Sequence, residues 1–300
     1  YQQTISFTIS SAHTLLPASF HIDQLSAFFV ATISLISLFC SIYAIGYVKH
    51  FYGKYNIGVL GFFYNIFIGA MLLVVSSSNW IFFLLAWEMM SIASYFLVAY
   101  EHQEPKSIKA GFLYLMMTHA GTALIVFAFL LIFKFTGAID FETIRLNSLA
   151  IPSSIKNIIF ILGLIGFGTK SGIIPFHIWL PDAHPAAPSH VSALMSGVMI
   201  KTGIYMMIRL FLDMLWPAPL WWGLVLLIFA SISSLLGVLY ALTEHDIKRL
   251  LAYHSIENIG IILLGLGSAM TFLTLGFDKL ALMGLAAALF HTLNHALFKS

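Results

Sequence analysis

The chain has 300 residues, of which 60% are apolar and only 9% charged, with 27 Phe and a formal net charge of +2. A soluble domain typically carries about 25% charged residues; so few charges could not cover a soluble surface, and the mean hydropathy of +0.95 agrees. A soluble enzyme, a nucleic-acid binder and a disulfide scaffold are excluded together, since +2 supplies no basic patch and the single cysteine, Cys40, allows no internal disulfide.

Residues 1–24 are polar and mixed, and the alternation Thr4-Ile5-Ser6-Phe7-Thr8-Ile9 predicts a strand or hairpin arm. Apolar spans follow at about 25–48, 57–78, 80–100, 110–135, 157–180, 191–212, 220–242, 250–269 and 279–300. Each approaches the roughly 20 residues that a helix needs to cross about 30 Å of hydrocarbon. The class is therefore all-α: a polytopic transmembrane helix bundle of about nine spans. The span at 250–269 is the weakest, because its first turns carry His254 and Glu257. Alternate threading gathers Lys49, Lys54, Lys106, Lys109, Lys248 and Arg249 on one side, which the positive-inside rule makes cytoplasmic, with residues 1–24 outside. The chain opens on Tyr1 without an initiator Met and stops at Ser300 inside an apolar segment, so it reads as a piece of a longer protein.

The informative residues break the membrane pattern, because an ionisable group at membrane depth is costly and marks function by default. Glu88 has apolar sequence on both sides, with Ser91 and Tyr95 at i+3 and i+7; the plainer alternative is an interfacial carboxylate. Lys170 is followed by Ser171-Gly172 and Pro175, which should interrupt its helix, and broken backbone is tolerated where it is buried in protein or lines a wet cavity. The plainer alternative is a lysine snorkelling to an interface. Lys201 sits ten residues into its span, too deep to snorkel, and Glu88 is the one deep carboxylate to partner it. His291, His295 and Lys299 form a stripe at i, i+4 and i+8. A zinc pair there lacks a well-placed carboxylate, haem would need a histidine across helices, and a hydrated proton relay uses all three residues. His119, between Thr118 and Thr122, is either part of the same wire or a hydrogen-bonded core histidine. His177, Asp182, His184 and His190 surround a Pro-rich turn, fit no metal template and read as turn chemistry. Asp23, Glu244, Asp246 and Lys248 read as solvated loop charges.

Trp87-Glu88 with Ser91 and Tyr95, the stretch Gly168 to His184, His245 to Tyr253, and His291 to Lys299 resemble, in the same order along the chain, the antiporter-like membrane subunits of respiratory complex I, Mrp-type antiporters and related complexes. The resemblance runs from about residue 20 onward. Ala187 to Lys201 and Ser255 to Gly260, with Glu257, are most similar to the branch serving hydrogenase-4 and formate hydrogenlyase complexes.

The resemblance implies an inverted-repeat fold with a broken helix near Lys170. It implies a domain 80–300 that translocates protons and is cut short at its C-terminus, behind N-terminal helices at 25–78. It further implies a relay in which Glu88 pairs with Lys170, Lys201 receives the proton, and His291, His295 and Lys299 carry it on, with His119 and Glu257 as additional candidates. Redox chemistry would reside in partner subunits, a [NiFe]-hydrogenase or quinone-reducing arm beside other membrane subunits in a bacterial inner membrane. No cofactor or metal is expected in this chain, since one Cys cannot hold a cluster. A subunit of a multi-protein sodium/proton antiporter and a non-pumping scaffold for the redox arm are the competing expectations.

Overall fold

The computed structural model describes residues 4–9 and 18–300. An antiparallel hairpin of β1 (Ile5–Ile9) and β2 (Ala18–Ile22) pairs Ile5 with Ile22 and Ile9 with Ala18, in line with the alternation at Thr4–Ile9. Helices follow as α1 (Gln24–Tyr47), α2 (Ile57–Ser76), α3 (Trp80–Val98), α4 (Pro105–Thr136), the short α5 (Phe141–Leu146), α6 (Ser153–Ser171) and α7 (Leu180–Ala186). Then come α8 (Ser189–Leu194), α9 (Ile200–Ile208), α10 (Leu220–Thr243), α11 (Ile247–Thr274) and α12 (Asp278–Lys299). The starts are fixed by side-chain caps: Asp23, Asn56, Asn79, Asp140 and Asp246 accept backbone N–H bonds at the heads of α1, α2, α3, α5 and α11.

Among the described residues, eight helical segments are long and apolar enough to cross a membrane: α1 through Phe51, α2, α3, α4, Ser189–Met214, α10, α11 and α12. The chain is a multi-pass membrane helix bundle. The span expected at 157–180 is discontinuous. Its helix α6 ends at Gly172, whose φ of +78° is left-handed, and turns occupy 173–179 before α7 begins. Glycine alone takes that conformation without strain, and a Cβ there would overlap the Leu180 side chain. The break lies directly after Lys170.

Ser189–Met214 is the central helix: its most apolar 18-residue stretch is 89% buried, against 28% for those of α10 and α12, and Lys201 on this helix faces protein rather than lipid. It is not uniform α-helix. A π-helical turn at Met195–Met199 separates α8 from α9, and a second, Arg209–Met214, ends the segment. Gly203 lets α9 lie against α6; a Cβ there would overlap the Ser171 hydroxyl and come within 2.8 Å of the Phe167 carbonyl.

Polar groups collect at the two ends. At the hairpin end Arg209 pairs with Asp23 and, at 3.4 Å, with Asp213, while Arg145 pairs with Asp213 at 3.1 Å and with Glu142. Asp23 is thus no solvated loop charge. Burial would raise its carboxyl, but hydrogen bonds from Arg209 and the Ser26 N–H outweigh this and hold it below the usual carboxylate range. At the other end Arg249 bridges Asp182 (2.7 Å) and Glu244 (3.1 Å), and the Lys248 amine donates to the carbonyls of Pro185 and Ala187. Glu244 and Lys248 are therefore also engaged, because α7 folds back onto the head of α11.

Candidate functional site

Lys170 occupies the last turn of α6 and is 1% exposed. Its amine donates to Ser91 Oγ of α3 at 2.9 Å and to Tyr114 OH of α4 at 2.7 Å. It also stands 5.1 Å from the Tyr114 ring centroid and 5.7 Å from that of Trp87. Two hydroxyl acceptors and two aromatic faces together replace much of the water a buried ammonium loses. Tyr114 OH lies 2.6 Å from Ser94 Oγ, continuing the hydroxyl chain into α3, and 3.6 Å from Met199 Sδ in the π turn of the central helix.

Glu88 does not join Lys170 in a contact pair. Its Oε2 lies 3.2 Å from His119 Nε2 on α4, the two side chains being 28% and 43% exposed. The reason is helical geometry. Trp87 and Ser91, four residues apart, share the face of α3 that meets Lys170, whereas Glu88 is rotated by about 100° from Trp87. Its charge still acts on Lys170 through space. His119 is thereby a carboxylate partner rather than a core histidine, although its Nδ1 also bonds the Leu115 carbonyl at 3.0 Å.

Lys201, 1% exposed, has no carboxylate in contact among the described residues; its amine donates to the Ser196 carbonyl at 2.6 Å, across the π turn. The Ser196 hydroxyl meets Ser255 Oγ of α11 at 2.7 Å, Ser255 donates to the Leu251 carbonyl at 3.1 Å, and the Lys299 amine donates to that same carbonyl at 2.6 Å. Ser196, Ser255 and Leu251 thus connect Lys201 to Lys299. Along α12, His291 donates from Nε2 to Asn258 Oδ1 at 2.9 Å, and the Asn258 amide donates to the His254 carbonyl. His254 lies 2.5 Å from Glu257 Oε2, so Glu257 stands one residue from this chain. His295 is fully buried, and neither ring nitrogen has a partner among the described residues. No three His, Cys, Asp or Glu side chains among them converge as metal donors.

Two groups therefore emerge. Glu88 and His119 in contact, with Lys170 apart from them, lie around α3, α4 and the α6 break, while Lys201 on the central helix is linked through Ser196, Ser255 and Leu251 to Lys299 on α12, the helix that also carries His291 and His295. Sequence reasoning missed Tyr114, Ser94, Ser196, Ser255 and Asn258. Their signal was only that of hydroxyls and an amide inside apolar spans, common enough in membrane helices to pass as packing.

Residues 77–300 match the family described as "NADH:quinone oxidoreductase/Mrp antiporter, TM", and residues 9–56 match "NADH-Ubiquinone oxidoreductase (complex I), chain 5 N-terminus". The chain belongs to this NADH:quinone oxidoreductase/Mrp antiporter transmembrane family. It is 49% identical over 279 residues to hydrogenase-4 component B of Escherichia coli, covering 92% of this chain and 41% of that protein. With formate hydrogenlyase subunit 3 of Escherichia coli the identity is 38% over 292 residues, covering 97% and 46%. Among solved structures, the Mrp complex from a Dietzia species contains a chain that superposes with a TM-score of 0.84 at 26% identity, covering 99% of this chain and 31% of that one. The chain thus spans less than half the length of each of these proteins.

Proposed function

We propose that the chain is the proton-translocating part of an antiporter-like subunit in a bacterial inner-membrane oxidoreductase complex of the hydrogenase-4 or formate hydrogenlyase kind. It would couple electron transfer in partner subunits to proton movement through Glu88, Lys170, Lys201, His291, His295 and Lys299, with His119 and Glu257 as further members. The observation that carries this reading is Lys170: a buried amine at a helix break, held by Ser91 and Tyr114, with a carboxylate close enough to act on it but not in contact. A unit charge pair at 4 Å is worth about 4 kcal/mol at an effective dielectric of 20. The Glu88 carboxylate is shared with His119. Loosening or tightening the Glu88–His119 contact would change the negative charge that Lys170 feels, and with it the exchange of the Lys170 proton. A charge or shape change in a partner subunit that alters the Glu88–His119 pair would drive this exchange. Lys201 lies on the neighbouring central helix to receive the proton, and the Ser196–Ser255 hydroxyls and Lys299 continue toward α12.

The test is Lys170→Ala in the full-length subunit within its native complex, with electron transfer and proton uptake measured together in inverted membrane vesicles. The expected outcome is loss of proton uptake with the complex still assembled. Unchanged proton uptake would overturn the relay and leave a scaffold for the redox arm. The likeness to a chain of the Mrp complex supports a second reading, a subunit of a multi-protein sodium/proton antiporter. Dependence of proton movement on added Na⁺ separates the two.

A further inference from the structure

Breaking α6 inside the bundle frees main-chain groups that lipid cannot satisfy, so they need partners in the protein. The break is held from two sides. Toward α4, the Trp179 indole donates to the Thr169 carbonyl at 2.8 Å, and its ring packs on Tyr114, whose hydroxyl holds the Lys170 amine. Toward α10, the Ile174 N–H donates to Ser233 Oγ at 3.0 Å. Ser233 is fully buried, and Phe229 and Tyr240, four residues before it and seven after, lie on the same face of α10. Phe176 stacks on Phe229 and His177 on Tyr240, each with ring centroids 6.4 Å apart. The turns at 173–179 therefore rest on one stripe of α10, with Ser233 gripping their backbone. That helix is in turn locked to α11. A Cβ on Gly260 would lie 2.5 Å from Ser234 N and 2.8 Å from the Ala230 carbonyl, and one on Gly237 would lie 2.6 Å from Glu257 N. The two backbones thus touch on either side of Ser233, and neither helix can slide far without the other. The partner helix α11 carries Ser255 and the Leu251 carbonyl, which link Lys201 to Lys299. Ser233 stands where the unit that bears this second group meets the backbone that bears Lys170.

We propose that Ser233 is a positioning residue for Lys170: its hydroxyl ties the helix break to the α10–α11 pair, so that a displacement of this pair moves the Lys170 amine relative to Ser91 and Tyr114. The two Lys170 bonds, at 2.9 and 2.7 Å, lie within the roughly 2.6–3.2 Å that proton transfer requires, and a shift of about 1 Å takes them out of it. A rearrangement around Ser255 and Lys299 in this way reaches Lys170 through packed backbone, without a proton having to pass between the two groups. The inference rests on the proton-translocation reading above.

The experiment measures protons taken up per electron transferred, across a range of pH, in inverted vesicles holding the full-length subunit in its complex. Ser233→Ala is expected to lower this ratio about tenfold, since a misplacement of about 1 Å at a reacting group can cost on the order of 100-fold. It is also expected to displace the pH profile, because Lys170 then meets Ser91, Tyr114 and the Glu88–His119 pair at altered distances. A wild-type ratio and profile would overturn the role of Ser233. Ser233→Thr keeps the hydroxyl and is expected to restore both. The same loss with Thr as with Ala assigns the effect to packing and overturns the positioning role. Should Ser233→Ala fail to assemble, Ser233→Cys decides: the thiol fills nearly the same space but accepts a hydrogen bond only weakly. A lowered ratio is expected there, and a wild-type ratio overturns the proposal. Lys170→Ala separates the two failures. A wild-type ratio in that variant removes the parent reading, whereas its loss beside a wild-type Ser233→Ala removes this inference alone.

Discussion

Around Lys170 a cation is held inside the bilayer by oxygen and π-electrons, with the nearest carboxylate acting at a distance. Tyr114 is central to that shell, since one phenol contacts the amine, the Ser94 hydroxyl and the sulfur of Met199. Tyr114→Phe keeps the ring and its packing against Trp179, with centroids 4.9 Å apart, and removes only the hydroxyl. The expected result is a stability loss of about 1–2 kcal/mol from the unmade hydrogen bonds. Proton uptake should fall at least tenfold in vesicles, with assembly retained on native gels. At this scale the sequence could single out ionisable groups such as Lys170 and Lys201, which the fold buries, because charge in an apolar span is conspicuous. It could not name their partners. Depth made Glu88 the partner of Lys201 and the resemblance paired it with Lys170, but the rotation of Glu88 around α3 turned its carboxylate to His119. His184 looked like turn chemistry because Pro185 and Pro188 surround it, yet the fold places it 3% exposed against a cavity.

Among the elements, the interrupted span and the central helix do the positioning. Gly172 and Pro175 made the break after Lys170 legible, since glycine supports left-handed backbone and proline cannot continue the helix. The π turn at Met195–Met199 left no comparable mark. It arises in a continuous apolar run, and its effect appears only where the Ser196 carbonyl accepts the Lys201 amine. Gly172→Ala tests the first of these features. A left-handed alanine costs about 1–2 kcal/mol, and its Cβ would additionally overlap Leu180. The expected outcome is a lowered melting temperature of the detergent-purified complex together with reduced proton uptake, since the helix end that carries Lys170 must shift. An unchanged melting temperature would show that the break does not depend on this glycine.

For the molecule as a whole, the ion pairs at the hairpin end tie together segments distant in the chain: Asp23 before α1, Glu142 and Arg145 on α5, and Arg209 with Asp213 on the central helix. Asp23→Asn leaves Arg209, 10% exposed, with Asp213 as its remaining carboxylate beside the Tyr205 and Ser26 hydroxyls, and is expected to cost about 1–3 kcal/mol, below the range for a fully buried pair losing its one partner. The pH dependence has a definite sign. The Asp23 carboxyl is held below its ordinary value in the fold, so its contribution is fully present above the unfolded value near about 3.9 and is lost as pH falls through the folded one. Melting temperatures of wild type and variant should therefore differ at pH 7 and converge in acid. A constant difference would assign the effect to packing. The sequence by itself determined the membrane class, the approximate spans, the break at Gly172 and the ionisable residues at depth, because hydropathy, backbone sterics and the cost of buried charge act locally along the chain. Only the tertiary structure decided which hydroxyls hold Lys170, that Glu88 turns to His119, that Ser196 and Ser255 connect Lys201 with Lys299, and that His184 meets a cavity, because hydrogen-bond partners and cavities are set by how helices are rotated and packed against one another.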